Sequence, residues 1–394
     1  MFFEILVVMI VGIGLGIITG LIPGIHVNLI SVVLLSISPF LLTFLSPLLV
    51  AVIIISMAVT HTFLDTIPSV FLGSPEEDTA LSILPGHRLL LEGRGFEAVM
   101  LTVVGSLGGL LLAFLCIPLL LPLVKIIYPL IQNYIGWILL VVSLFMIFRE
   151  EKKVWALLIF SLAGFLGWIV LNMEIEQALF PLFSGLFGVS MLLISLKDNN
   201  VIPKQEVTSI DVTGSYKAIS IAVFVGWIAS FLPGLGPAQA AVIGSQFVKL
   251  TEKSFMILVG GLSTVNMVLS LVTFYVLDKA RNGAIVTVSE IIEISKFDFV
   301  IFVSVALIVG GIATIIAINV TKGFSVLISK VNYRTLCMGI IIFIVLLVLI
   351  MTKYIGLLVL LISTALGIIP ALKGVSRSHM MGCLLVPVII YFIF

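Results

Sequence analysis

Apolar stretches as long as a bilayer is thick follow one another through almost the whole chain, and little else lies between them. A helix needs about 20 residues to cross the hydrocarbon core. Runs of this kind occupy 5–38, 46–72, 98–123, 128–148, 154–172 and 178–196, then 217–248, 254–277, 297–318, 335–352, 354–372 and 380–394. No water-soluble surface can be built around them. Charged residues are 10% of the 394 positions and hydrophobic ones 61%, whereas a soluble domain carries roughly 25% charged residues. The expected fold class is an all-α polytopic membrane protein, with the lipid bilayer as its first partner. Residues 1–22 lack a basic leader and a small-residue cleavage site, so they read as a retained membrane segment.

Several functions are excluded early. With 20 Lys+Arg against 19 Asp+Glu, the chain has no basic field for nucleic acid and no polybasic membrane clamp. Cys116, Cys337 and Cys383 lie singly in apolar runs and read as buried thiols without metal spacing. No GxxxxGK[ST], HExxH or GxSxG pattern occurs. An ATP-driven pump within this chain and the standard intramembrane hydrolases therefore fall away. The reading is of a protein that is not an enzyme and holds no cofactor or metal, with H⁺ or Na⁺ as a coupling ion.

The runs form two series around the most polar stretch. This places a first transmembrane repeat at 1–196, a linker at 197–216 and a second repeat at 217–394. Gly20, Pro23 and Gly24 in the first match Ser230, Pro233 and Gly234 in the second at an offset of 210, which also brings Gly16 onto Gly226. Internal repeats are a hallmark of secondary transporters. If the second repeat is inverted, fifteen of the 20 Lys and Arg lie on one side, with 73–97, 149–153, the linker together with Lys217, then Lys249 and Lys253, 319–334 and 373–379. The positive-inside rule makes that side cytoplasmic and puts both termini outside the cell membrane. Inversion also demands an odd number of crossings per half. Residues 5–38 must then enter and leave on one side, as a re-entrant or broken helical hairpin of two arms, each about 25 Å at 1.5 Å per residue. Residues 217–248 form its mirror image.

The Pro-Gly tips of these hairpins carry the chemistry. Non-helical backbone inside a membrane is tolerated only against protein or a water-filled cavity, and a helix leaving each tip points its free N–H groups and positive dipole end inward. Such a site can hold a small anion without Lys or Arg, and neither occurs between Glu4 and Asp65. The candidate substrate-binding residues are Pro23, Gly24, His26 and Asn28 at the first tip, and Pro233, Gly234, Gly236 and Gln239 at the second. Asn266 joins them from the following segment. The plainer alternative is a pair of kinks filled by neighbouring helices. His61 and Asp65, four apart on one helical face, are the candidates for ion coupling, because an ionisable group in a span is functional by default. Asp65 could instead cap or pack near the interface beside Thr66 and Pro68. The charged residues of 73–97 read as a solvated cytoplasmic loop with local ion pairs.

Other stretches look familiar. Gly20-Leu-Ile-Pro-Gly-Ile and Phe231-Leu-Pro-Gly-Leu-Gly-Pro resemble the two Gly-x-x-Pro-Gly signatures of the tripartite tricarboxylate transporter permeases, the TctA-type large subunit. The run from Pro85 to Ala98, the run from Leu179 to Ser190, and Asn266 resemble further stretches of that family in the same order. Pro85 stands where the family has Asp, and residues 72–76 and 277–284 also depart from its pattern. The resemblance implies uptake of a carboxylate driven by H⁺ or Na⁺, together with a small membrane subunit and a solute-binding protein. A divergent secondary active transporter of an organic anion is the leading expectation. Translocation of a lipid-linked polyprenyl phosphate is its close alternative, since helix N-termini suit phosphate equally. An intramembrane enzyme using His26, His61 and Asp65 and a structural partner subunit with a solid core are the others. Oligomeric state, including a homo-oligomer, is left open.

Overall fold

The computed structural model describes residues 2–23, 25, 27–73, 81, 83–173, 177–197, 203–208, 210–232, 236–247, 250–280, 282–330 and 332–394. All regular structure among them is helical. The first half comprises α1 (Phe2–Leu21), α2 (Val27–Ser36), α3 (Ser38–Leu41), α4 (Pro47–Leu64), α5 (Thr66–Leu72) and α6 (Ile83–Leu91). It continues with α7 (Gly95–Ile131), α8 (Ile135–Arg149), α9 (Lys153–Leu171), α10 (Leu179–Phe183) and α11 (Ser190–Lys197), the last two joined by a π-helical turn, Ser184–Val189. The second half comprises α12 (Ser215–Phe231), α13 (Pro237–Phe247), α14 (Glu252–Leu277), α15 (Gly283–Ile291), α16 (Lys296–Ile328), α17 (Tyr333–Lys373) and α18 (Gly382–Ile393). Seven helical stretches among the described residues are long and apolar enough to cross a membrane. The protein is an all-α, multi-pass membrane protein.

Local chemistry sets most of the boundaries. Pro47 opens α4 behind an extended Ser46, where its missing N–H costs nothing. Ser295 and Asp298 form a reciprocal capping box at the start of α16. Gly73 and Gly374, at φ +63° and +61°, end α5 and α17 in the left-handed conformation that glycine adopts without strain. Lys353 breaks α17 at φ 56°, between the expected runs 335–352 and 354–372. The expected break near 123–128 does not occur. Lys125 is exposed and can extend its ammonium to the interface, so α7 runs on to Ile131 despite Pro118, Pro122 and Pro129.

Packing sets the direction of the helices on either side of each Pro-Gly stretch. Gly12 of α1 faces Ile53 and Ser56 of α4, Gly16 faces Met57 and Thr60, and Gly20 faces Leu64. The two helices therefore run side by side in one direction, and the chain has to come back between them. In the second half Gly226 of α12 faces Val265 of α14 and Ser230 bonds Thr273 at 3.1 Å, so α12 and α14 are likewise parallel. At the centre, Thr66 bonds Thr102 at 2.9 Å and Ser106 donates to the Gly260 carbonyl at 3.0 Å. Thr264 donates to Thr62 at 3.0 Å. With Ser106 also reaching the Thr62 carbonyl at 3.5 Å, α4 and α5 run antiparallel to α7; Gly105 facing Ile257 and Gly109 facing Val265 set α14 parallel to α7 and so antiparallel to α4. Small residues let backbones meet there: a Cβ added to Gly105 would lie 1.9 Å from the Ile257 carbonyl oxygen, and one added to Gly260 would lie 2.2 Å from that of Thr102. The long α16 closes this group against α4 and α7.

A second group packs by the same device. Gly167 of α9 meets the backbone of Cys383 in α18, and Gly382 meets that of Phe160. Gly367 of α17 meets Leu186 and Ser190, and Gly185 meets Ser363. Packing thus crosses between the halves in both groups. The linker does so too: Gln205 accepts from the Gly95 N–H at 2.8 Å and donates to the Leu90 carbonyl at 3.0 Å.

Candidate functional site

The first tip sits beside the break between α4 and α5. Pro23 is buried just beyond the end of α1; Gly24 and His26 lie outside the described residues. A Cβ on Gly20 would contact Leu64 and approach the Asp65 nitrogen at 3.4 Å, which sets the end of α1 against the His61–Asp65 turn. Both residues are deep in the protein, at 1% and 0% exposure. The His61 imidazole lies close to the Thr19 backbone and within electrostatic reach of Asp65. The Asp65 side chain does not cap α5. Asn28, on the first turn of α2, abuts the start of α15, where a Cβ on Gly283 would lie 2.4 Å from its Oδ1. Nothing in the sequence pattern brings Asn28 and Gly283 together.

The second tip is formed by α12, α13 and α14. Pro233 and Gly234 lie outside the described residues. Gly236 immediately precedes α13, which opens on Pro237. Gln239 is 2% exposed, and its Oε1 has no hydrogen-bond partner among the described residues. Asn266, 7% exposed, shows no side-chain hydrogen bond among the described residues; its carbonyl accepts from Ser270 at 2.6 Å. Two more groups on the same packed helices share this state, Trp227 Nε1 on α12 and Ser263 Oγ on α14. Sequence reasoning missed both, because a Trp and a Ser in apolar runs read as ordinary packing. Buried polar atoms are bonded in the great majority of cases, and leaving one unmet costs about 1–3 kcal/mol. Four polar side chains on the adjoining helices α12, α13 and α14 are thus buried with hydrogen-bonding capacity to spare among the described residues.

No hydrogen bond joins Pro23, Asn28, His61 or Asp65 to Gly236, Gln239 or Asn266 among the described residues. Their helices meet instead at Thr62 and Thr264.

The stretch 73–97 departs from the expected solvated loop. It contains α6, whose Arg88 pairs with Glu252 of the second half. Glu97, 8% exposed, pairs with Lys253 at 2.7 Å as well as with Arg94 at 2.8 Å. Two of these ion pairs therefore tie α6 and α7 to the start of α14 rather than staying local. His87 is buried on the inner face of α6, and burial lowers its pKa to about 4, only partly offset by a bond to the Val70 backbone.

Likeness to known proteins agrees with this architecture. The profile of the tripartite tricarboxylate transporter TctA family matches residues 6–382. The chain belongs to the TctA family. A relative at 33% identity, covering 98% of this chain and 99% of its own length, is the uncharacterized protein MJ1079 of Methanocaldococcus jannaschii. No solved structure matches the chain. TctA proteins are transporters, not enzymes, and form the large membrane subunit of a system with a small subunit and a solute-binding protein. An intramembrane enzyme built on His26, His61 and Asp65 is thereby set aside.

Proposed function

We propose that this TctA-family protein is the permease that moves a small organic anion, a carboxylate, across the cell membrane in exchange for the energy of an H⁺ or Na⁺ gradient. The observation that carries this reading is the unmet hydrogen-bonding capacity, among the described residues, of buried Gln239, Trp227 and Ser263, with the Asn266 side chain on the same three packed helices α12, α13 and α14. A carboxylate offers acceptors to the Asn266 amide, the Trp227 N–H and the free backbone N–H groups of the opening turn of α13, and a helix start favours negative charge. Asn28 serves the first tip in the same way. Asp65, with His61 four residues before it, holds the coupling cation. The two halves act as inverted-topology repeats. Supporting this, α1 lies on α4 as α12 lies on α14, and α4 and α14 run antiparallel. A small membrane subunit and a solute-binding protein complete the system.

Uptake of radiolabelled citrate into proteoliposomes tests this reading, with inward Na⁺ or H⁺ gradients imposed separately. Gradient-dependent accumulation that is lost in Asp65→Asn supports it. Accumulation independent of both gradients would refute the coupling. Absence of citrate flux, with flipping of a polyprenyl phosphate in the same vesicles, would move the substrate to the lipid-linked class.

A further inference from the structure

Every candidate residue that the structure describes lies in one of two helical bodies. The first, α1–α7 with α12–α16, contains both hairpins, Asn28, His61, Asp65, Gln239 and Asn266. The second, α8–α11 with α17 and α18, contains none of them. Each body is assembled from both halves of the chain. In the first, the halves are locked by backbone-on-backbone crossings at Gly105 with Ile257 and Gly260 with Thr102, and by the Glu97–Lys253 pair. In the second, Gly167 with Cys383 and Gly367 with Leu186 do the same. Close-packed crossings of this kind do not slide by degrees, because small shifts meet hard repulsion. The two halves therefore cannot rock against one another without opening both bodies.

The surface between the bodies is different in kind. Its packing runs through α5 against α17 and through Gly73 against Leu192. The hydrogen bonds and ion pairs described above stay within one body or the other. Three covalent connections cross it: the turn Gln132–Tyr134, the segment 329–332, and the linker. Pro118, Pro122 and Pro129 lie in the last part of α7 just before the first of these. Each removes a helical hydrogen bond and loosens the helix there. The helix that meets the second body, α5, begins directly after Asp65.

From this partition we infer that access alternates by movement of the whole first body past the second. Both hairpins travel with their ligand, α5 slides over α17, and the α7–α8 turn acts as a hinge. This rests on the proposed transport function and adds its moving part: the site lies within one moving body, not between two rocking repeats.

Spin-label distances in nanodiscs test it without knowledge of the substrate. Cysteines are introduced on a Cys116→Ser background, since Cys337 and Cys383 are buried. One pair, Glu92→Cys with Lys322→Cys, spans the two halves within the first body. The other, Glu92→Cys with Glu151→Cys, stays in the first half but spans the two bodies. All three positions are exposed. Distances are read in apo protein and with citrate plus Na⁺. The expected result is one narrow, constant distance for the first pair. The second should show two populations, or a shift between conditions, of at least one helical turn, about 5 Å. The reverse pattern would establish rocking repeats and overturn the inference while leaving citrate flux untouched. Constant distances in both pairs would overturn it too. Loss of flux with the expected distance pattern would instead count against the transport reading alone.

Discussion

Replacing Gln239 by Leu separates a binding role from a packing role by the sign of two effects. Leu has nearly the size of Gln and no polar atoms. In the native protein the Gln239 Oε1 is buried without a partner among the described residues, a state that costs about 1–3 kcal/mol. Gln239→Leu removes that penalty and adds apolar burial, so the folded protein should gain about 1–2 kcal/mol. The same substitution removes an acceptor for the citrate hydroxyl, and its loss should weaken citrate binding by about 1–3 kcal/mol, tenfold or more. The assay is a thermal melt of the detergent-purified protein followed by calorimetric titration with citrate. A higher melting temperature with weaker binding is expected. A lower melting temperature with unchanged affinity would mean that Gln239 serves the fold, and the binding reasoning would fail at its strongest point.

Three further outcomes follow from the packing and the charges. Gly105→Ala should destabilise by about 1–3 kcal/mol because its Cβ meets the Ile257 carbonyl. Gly311→Ala, with nothing within 4 Å, should be neutral or slightly stabilising; equal melts for the two would contradict the α7–α14 crossing. His87 is held neutral by burial, with its pKa near 4 instead of 6.5. Between those values the unfolded chain binds the extra proton, so stability should fall as pH drops from 6.5 to 4, by up to about 3 kcal/mol. Melts across that range should show a shallower fall in His87→Gln. Gln205→Ala should strip the Gly95 N–H of its acceptor and cost about 1–2 kcal/mol. Limited proteolysis should then cut the linker faster than in the parent.

The spans were legible in the sequence because a bilayer enforces their length, and the Pro-Gly pairs were legible because they interrupt those spans. Gln239 and Asn266 stood out as polar residues in apolar surroundings, and both are buried on packed helices. What sequence alone could not supply was pairing between distant segments. That Asn28 meets Gly283, or that Glu97 meets Lys253, depends on which helices cross, and no periodicity encodes it. Lys125 misled for a related reason: a charge in an apolar run ends a span only when its head cannot reach water. Lys353, which does sit at a break, has the same signature. Arg88 and Glu97 likewise read as solvated or locally paired until α14 supplied Glu252 and Lys253.

The glycine crossing of α7 with α14 also dictates how the protein must be made. Gly105 enters the membrane about 150 residues before Gly260, and at 5–20 residues per second the delay is on the order of 10 s. Through that interval the groove on α7 is filled only by lipid, while Glu97 and the Gly95 N–H wait for Lys253 and Gln205. The first half cannot mature by itself. Expressed as two separate polypeptides, the halves should persist in cells only when both are produced, each protecting the other from the proteases that clear orphaned membrane segments.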